Sequence, residues 1–540
     1  MRTTEDNVIL SQLLFPDVVE TPQSMFGKYP KRELPDGAMV LRFAPSPTGF
    51  LHIGTVYMGM INTIIAKQTK GVSILRIEDT DKNREVENGV MTIVEGLRNF
   101  GIDFDEGMIG DNQSKGKYGP YIQSKRLDIY KVFAKDLVSK GYAYPCFMTE
   151  RELENIRKEQ EEKKLRTGCY GKWAIWRDRS LEDVKAMLEK DEKFVIRLYS
   201  TGDIEKSFNM MDLIKGYVTL RENDMDAVLL KSDGFPTYHF AHPIDDILMG
   251  ITLVTRGDEW FSSVPLHVEL FQKLGFKQIP YAHFSPLMKT ENGSKRKLSK
   301  RKDPEADVQY YISKGYPKEG VKEYLLNIAN SNFYDWKIQH PGKSPEEFAL
   351  RLDKFNKAGS LFDIVKLDDM CKNYIASLSA EQVYDQALTW VEEYDKEVAD
   401  ILKENKDYCI KIFGIEREGP KVRKDIVKYS DIKEQLTIFF DTMFENIEYE
   451  DISGIIESTK QKEILEKYLK VFEIPNSVET WFEGVKKLAE EMGAKTGEIA
   501  MVLRVAITKK TKSPDLYQVI SILGEDKVRE RLEKYLGKVI

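Results

Sequence analysis

The sequence predicts an α/β chain: a parallel sheet split by an inserted subdomain, followed by an all-helical C-terminal region. Three observations predict it. First, residues 39–43 read as a short strand and 45–49 (Pro-Ser-Pro-Thr-Gly) as a turn. Apolar residues at Val56, Met60, Ile61, Ile64 and Ile65 then share one face of a helix starting near His52, Gly71 is placed to stop it, and 72–77 is a β-branched run. That strand, turn, helix, strand unit puts ligands at strand carboxyl ends, here residues 45–54 and 78–81. Second, strand signals return at 227–231 and 251–255, after a stretch of different character, so the sheet is read as interrupted. Third, helical periodicity dominates from about Val321 onward. There Trp481, Val485, Leu488 and Met492 recur at helical spacing, with Ser477 as N-cap and Gly493 as stop.

The remaining elements follow in order. Two amphipathic helices are expected after the first unit, one with Val86, Val90, Ile93, Val94 and Leu97 before Gly101, the other with Leu127, Tyr130, Ala134 and Leu137 before Gly141. Between Cys146 and Asn223 a highly charged helical run near 151–166 precedes a Trp/Arg-rich stretch at 173–179, the expected insertion. The chain of 540 residues has room for three or four domains, and 41% hydrophobic residues with 26 Phe and 26 Tyr exclude a disordered chain. A net charge of −7 gives no bulk attraction to a polyanion, so any nucleic-acid site must be a local basic patch. The four cysteines, Cys146, Cys169, Cys371 and Cys409, form no Cys-x-x-Cys pair, which excludes a disulfide scaffold and fits a reducing cytoplasm. No apolar run is long enough to span a bilayer, and the first twenty residues lack a signal-type apolar core. A cytoplasmic protein without membrane contact is expected.

Three groups of residues carry chemistry. In Pro45-Ser46-Pro47-Thr48-Gly49-Phe50-Leu51-His52-Ile53-Gly54, a histidine at a helix start can donate to a phosphate beside the free helix N–H groups, and Gly54 can admit a flat base or ribose. Six cations in eight residues, Lys295 to Lys302, can close over a triphosphate and answer charge as pyrophosphate leaves. Alone, such a run is more often a solvated loop; beside the first motif it points to phosphate. The third group lies at strand ends: Arg42, Glu78-Asp79, Tyr238 and Arg256-Gly257-Asp258-Glu259. Two arginines and a tyrosine can clamp a carboxylate while a nearby carboxylate holds an ammonium, which describes an amino-acid pocket with an extra acid to read.

With FAPSPTGFLHIG, LRIEDTD, SDGFPTYHFAHPIDD, RGDEW and KLSKR in place, the chain resembles the glutamyl-tRNA synthetases, class I aminoacyl-tRNA synthetases, from about Tyr29 to Asn330 and more weakly at 503–516. His52-Ile53-Gly54-Thr55 matches the HIGH signature and Lys297-Leu298-Ser299-Lys300-Arg301 matches KMSKS. The resemblance implies a Rossmann-type class I sheet and ATP-dependent ligation of L-glutamate to tRNA(Glu) with Mg2+ present, and leaves open whether tRNA(Gln) is charged too. It implies catalytic roles for His52, Gly54, Lys297 and Lys300, and ATP contacts from Pro45, Thr48, Gly49, His52, Gly54, Ser299 and Lys300. It assigns glutamate to Arg42, Ser46, Glu78, Tyr238 and Arg256, and leaves the role of His242 open because relatives differ there.

The expected organisation is an N-terminal extension (1–38), the two halves of the catalytic sheet (39–145 and 224–290), an acceptor-stem-binding insertion (146–223), a KMSKS-loop and helical junction (291–369) and a helical anticodon-binding region (370–540). Lysines such as those at 508–512 are candidates to meet the tRNA backbone there. A monomer is implied. Some relatives hold zinc in the insertion; two separated cysteines cannot make a closed tetrahedral site, so no structural zinc is expected. The rival readings are a glutaminyl-tRNA synthetase and a catalytically silent tRNA-binding protein on the same scaffold.

Overall fold

The structure, a computed structural model, describes residues 2–49, 51–81, 86–419, 422–474 and 476–539. Phe50 of the first motif lies outside them. The chain divides into two units: Met1–Tyr310 with Lys322–Asp363, and Tyr311–Val321 with Ile364–Ile540.

The first unit begins with the helix Thr4–Leu14, and its Leu10, with Phe15 and Met25, packs into the same core as Tyr130, Phe133 and Leu137. The extension is thus part of the unit's core, and Arg32 fastens its end to Glu106 by two 2.8 Å hydrogen bonds. Strand β1 (Val40–Phe43) is buried on both faces, as a central parallel strand must be. It pairs in parallel with β2 (Val72–Leu75), which pairs with β3 (Glu106–Gly110); β4 (Gln113–Lys115) folds back antiparallel on β3. Between β1 and β2 runs the helix Ile53–Gln68, with His52 as its N-cap.

Gly71 does not stop that helix. Thr69 is the C-cap and Lys70 takes the left-handed turn at φ +54. Gly71 is needed where the chain passes β1, because a Cβ there would stand 1.8 Å from the Met39 carbonyl oxygen. Val86 also falls outside its expected helix, which spans Gly89–Arg98; instead its N–H donates to the Pro47 carbonyl at 3.1 Å, bracing the Pro-Ser-Pro-Thr-Gly loop.

The next stretch supplies β5 (Ala143–Cys146), β6 (Val195–Leu198), the hairpin β7 (Ser207–Asp212) and β8 (Gly216–Arg221), and β9 (Val228–Leu230). The sequence reading gave 227–231 to the parallel sheet; in the structure β9 pairs antiparallel with β6, in a sheet ordered β5-β6-β9. An apolar run of three residues pairs equally well either way, so periodicity alone could not place it. The parallel sheet resumes with β10 (Val254–Gly257), bridged in parallel to β1 at Leu41 and Leu253, and β11 (Tyr281–Phe284), whose Tyr281 meets Asp212 of β7. The strands therefore run β3-β2-β1-β10-β11-β7, and the switch between β1 and β10 is where such sheets bind ligands. A last hairpin, β12 (Met288–Glu291) and β13 (Ser294–Lys297), delivers the Lys-Leu-Ser-Lys-Arg loop.

The second unit is helical, with one apolar core from Ile375 to Tyr535. Its helix Val478–Met492 starts on Ser477, which accepts from the Thr480 N–H, and ends on Gly493 at φ +60, as the sequence predicts. Residues 311–321, read from sequence as part of the junction, pack here: Trp390 donates to the Ile312 carbonyl at 2.8 Å and Tyr316 to Asp368 at 2.7 Å. Lys509, among the candidate tRNA-facing lysines, is 3% exposed and donates to the carbonyls of Phe444 and Ile447. It braces the core, while Lys512 is exposed. No helix among the described residues is long and apolar enough to cross a membrane.

Gly71→Ala should destabilise the protein by about 3 kcal/mol or more, since backbone atoms rather than a flexible side chain block the added methyl. The check is the urea midpoint, and an unchanged midpoint would contradict the close approach.

Candidate active site

A cavity of about 390 Å³ opens at the carboxyl ends of β1, β2 and β10, and every residue assigned above to ATP or glutamate lines it except Ser299. On one side lies the helix start. The Gly54 N–H donates to His52 Nδ1 at 2.9 Å, so that nitrogen is bare and the ring proton sits on Nε2, 3.3 Å from the Leu298 carbonyl. Burial lowers the His52 pKa and the nearby Lys300 and Lys297 charges add to it, which keeps the ring neutral. A Cβ on Gly54 would stand 3.0 Å from His52 Nδ1, so the glycine first serves the histidine's own cap bond.

The cationic loop is less free than its composition suggests. Arg296 is tied to Asp303 at 2.6 and 2.7 Å and to Glu291 at 2.7 Å, and Lys289 to Asp303 at 3.3 Å. The Ser299 N–H also donates to Asp303 at 2.9 Å, which fixes the loop's bend; Ser299 is not among the residues that line the cavity. Lys297 and Lys300 reach the cavity, with Leu298 buried between them as the loop's apolar anchor. Burial lowers the Lys300 pKa against the pull of Asp307.

The other side holds the two arginines, in unlike settings. Arg42 is 2% exposed; its Nε reaches Asp246 at 3.1 Å and a terminal N–H donates to the Thr255 carbonyl at 2.9 Å. Asp246 also takes Arg76 at 2.6 Å, and Arg76 reaches Glu78 at 3.2 Å. Burial raises the Glu78 carboxyl despite Arg76 and Arg42, while at Asp246 the same burial is outweighed by Arg42 and Arg76 and the carboxyl stays well below the usual range. Arg256, 4% exposed, is held by neutral acceptors: His283 at 3.0 Å, the Tyr238 hydroxyl at 3.1 Å, His267 at 3.1 Å and the Trp260 carbonyl at 3.3 Å. Among the described residues it forms no ion pair. The Tyr238 hydroxyl accepts from Arg256 and keeps its own proton, since burial raises its pKa against the Arg256 charge.

His242, left open by the sequence, is fully buried behind Tyr238, its ring stacked at 5.7 Å and its Nε2 3.0 Å from the Tyr281 hydroxyl; burial takes its pKa down to about 4. Sequence reasoning gave no role to Arg76, Asp245, Asp246, Trp260, His267 or His283. A signal existed for the first three, charges set inside the apolar runs 74–77 and 240–249, where only a buried partner can balance them. In the insertion, burial pushes the Cys169 thiol up to about 11, and its sulfur lies 3.9 Å from the Tyr144 hydroxyl. Among the described residues no group of three or more His, Cys, Asp or Glu side chains is placed to hold a metal ion.

Comparisons with known proteins agree with this geometry. A family profile described as "tRNA synthetases class I (E and Q), catalytic domain" matches residues 38–338, and one described as "Anticodon binding domain" matches 370–536. The fold is that of a class I tRNA synthetase. A glutamate–tRNA ligase of Clostridium perfringens (strain SM101 / Type A) is 46% identical over 546 residues, covering 98% of this chain and 99% of the relative. One of Sorangium cellulosum (strain So ce56) is 40% identical, covering 97% and 100%. The chain belongs to the glutamate–tRNA ligase family. Among solved structures, a glutamate tRNA ligase from Elizabethkingia meningosepticum CCUG26117 in complex with its amino acid superposes with a TM-score of 0.76 at 28% identity, covering 93% of this chain and all of that one.

Asp246→Asn should cost about 3–5 kcal/mol, because Arg42 and Arg76 would remain buried without their shared carboxylate. Thermal unfolding measures it; a variant as stable as wild type would contradict the pairing.

Proposed function

We propose that the protein activates L-glutamate with MgATP and passes the glutamyl group to the 3′-terminal adenosine of tRNA(Glu), acting as a cytoplasmic monomer. The observation that carries this reading is one cavity with unlike ends: a neutral histidine and two lysines on one side, and a buried arginine without a carboxylate partner among the described residues on the other.

An α-carboxylate oxygen of glutamate attacks the α-phosphorus of ATP, the bond to the β-phosphate breaks, and pyrophosphate leaves with its charge answered by Lys300 and Lys297. His52 Nε2–H moves from the Leu298 carbonyl to a phosphate oxygen. Pro45, Thr48, Gly49 and Gly54 shape the nucleotide's bed. The ribose hydroxyl of the tRNA then attacks the carbonyl carbon of the adenylate, and AMP departs. No side chain forms a covalent bond, so catalysis is positioning and charge stabilisation. Bound with ATP, magnesium would offset charge on the triphosphate; the cavity's carboxylates, Glu78 and Glu259, are too few for a protein cage of their own.

In this reading Arg256, Tyr238 and the remaining donor of Arg42 take the side-chain carboxylate, while Ser46 and Glu78 take the ammonium group. The unpaired charge of Arg256 favours an acid over an amide, which speaks against the glutaminyl alternative. The insertion takes the acceptor end and the helical unit the anticodon.

The two sides of the cavity should separate kinetically. Lys300→Ala should lower kcat by orders of magnitude with little change in tRNA affinity, because its cation acts mainly in the transition state. Arg256→Ala should instead raise the glutamate KM by an amount worth about 2–5 kcal/mol, with the ATP KM little changed. Charging of purified tRNA(Glu) and tRNA(Gln) with glutamate and glutamine measures both; equal effects of the two substitutions on glutamate and ATP would overturn the division.

A further inference from the structure

Of the chain's 6 histidines, four gather around Arg256: His239, His242, His267 and His283. Their hydrogen bonds leave little freedom. A guanidinium has donors only, so the ring nitrogens facing Arg256, His283 Nε2 at 3.0 Å and His267 Nδ1 at 3.1 Å, must both be bare. The His283 proton then sits on Nδ1 and is donated to Asp212 at 2.6 Å. The His267 proton sits on Nε2 and is donated to His239 Nδ1 at 3.0 Å. Each ring accepts from Arg256 on one side and is fixed in that tautomer by a partner on the other. A second proton on either ring would set N–H against N–H, and burial, with the Arg256 charge adding to it, holds the pKa values of His239, His267 and His283 below the ordinary imidazole value.

A carboxylate in either place would hold the guanidinium at least as firmly and would also neutralise it. The chain uses carboxylates for Arg42 and Arg76, which share Asp246, and imidazoles for Arg256. We infer that His267 and His283 are positioning residues that fix the Arg256 guanidinium while leaving its charge unanswered, and that this arrangement makes the cavity choose a side-chain carboxylate over an amide. The inference rests on the reading that Arg256 meets the substrate's side-chain carboxylate. A glutamine amide would leave Arg256 buried and uncompensated; a glutamate carboxylate supplies the counter-charge that the fold withholds.

The test is an isosteric pair that differs in charge alone, His267→Asn and His267→Asp, each placing an oxygen near the present Nδ1. The Asn variant should keep a glutamate KM within about threefold of wild type. The Asp variant should raise it about tenfold or more and narrow the glutamate-over-glutamine ratio of kcat/KM by a similar factor. The ATP KM, measured on the same preparations, should stay unchanged in both. A merely structural role predicts that the two variants behave alike, and equal glutamate KM values would overturn the inference. Should the Asp variant fail to fold, Asp212→Ala removes the acceptor that fixes the His283 proton; it should raise the glutamate KM with the ATP KM unchanged, and an unaltered glutamate KM would overturn the inference equally. Arg256→Ala run alongside separates the two levels. If it leaves the glutamate KM unchanged, the reading of the pocket fails. If it raises the KM while the His267 pair does not split, only the inference fails.

Discussion

Two adjacent carboxylates, Asp245 and Asp246, are fully buried on the helix Tyr238–Leu248, and much of the catalytic unit is arranged to answer them. Unpaired, each would cost several kcal/mol in desolvation. Asp245 takes Arg126 at 2.7 Å, the Tyr130 hydroxyl at 2.8 Å and Gln123 at 2.9 Å, while Asp246 takes Arg76 and Arg42. The partners come from β1, from just beyond β2 and from the segment 123–130, so one helix of the second half of the sheet is locked to the first half by charge. The network joins residues on either side of the segment read from sequence as an insertion, roughly 146–223.

The network also decides what each arginine of the cavity can do. Arg42 is anchored and largely answered by Asp246, which makes it a fixed wall with a remaining donor. Arg256 sits on β10 across the switch point, gripped by imidazoles, a hydroxyl and a carbonyl, none of which carries a negative charge. Opposite it, Asp303 ties down Arg296 and shapes the bend of the loop, so that Lys297 and Lys300 are the loop cations that line the cavity. In both places the chain uses acidic residues to remove some cations from play and leaves a chosen few exposed to ligand.

Much of this was legible in the sequence, and the physical reason differs from element to element. The first strand, turn and helix were readable because turn chemistry, an N-capping histidine and a long apolar face agree. The helix Val478–Met492 was readable from cap to stop for the same reason. Strand β9 was not, since three apolar residues carry no partner information. Gly71 looked like a helix stop because only the fold shows that β1 passes within contact of it. The site motifs could be read along the chain because short-range spacing marks them, and most of their residues line one cavity. The roles of His239, His267 and His283 were not read, because these residues come from α-helical and β-strand segments up to 44 residues apart, from His239 to His283, and His242 was noticed without a role. Lys509 was misjudged, since a lysine among lysines gives no sign that its side chain turns inward to two carbonyls.

The central claim is that the unanswered charge of Arg256 receives the substrate's side-chain carboxylate. A structure of the protein with bound L-glutamate tests it most directly. The account predicts the side-chain carboxylate within hydrogen-bond distance of the Arg256 guanidinium and the Tyr238 hydroxyl, with the α-carboxylate turned toward His52 and Lys300. Glutamate bound with its α-carboxylate on Arg256, or with that guanidinium turned to a protein carboxylate, would contradict it.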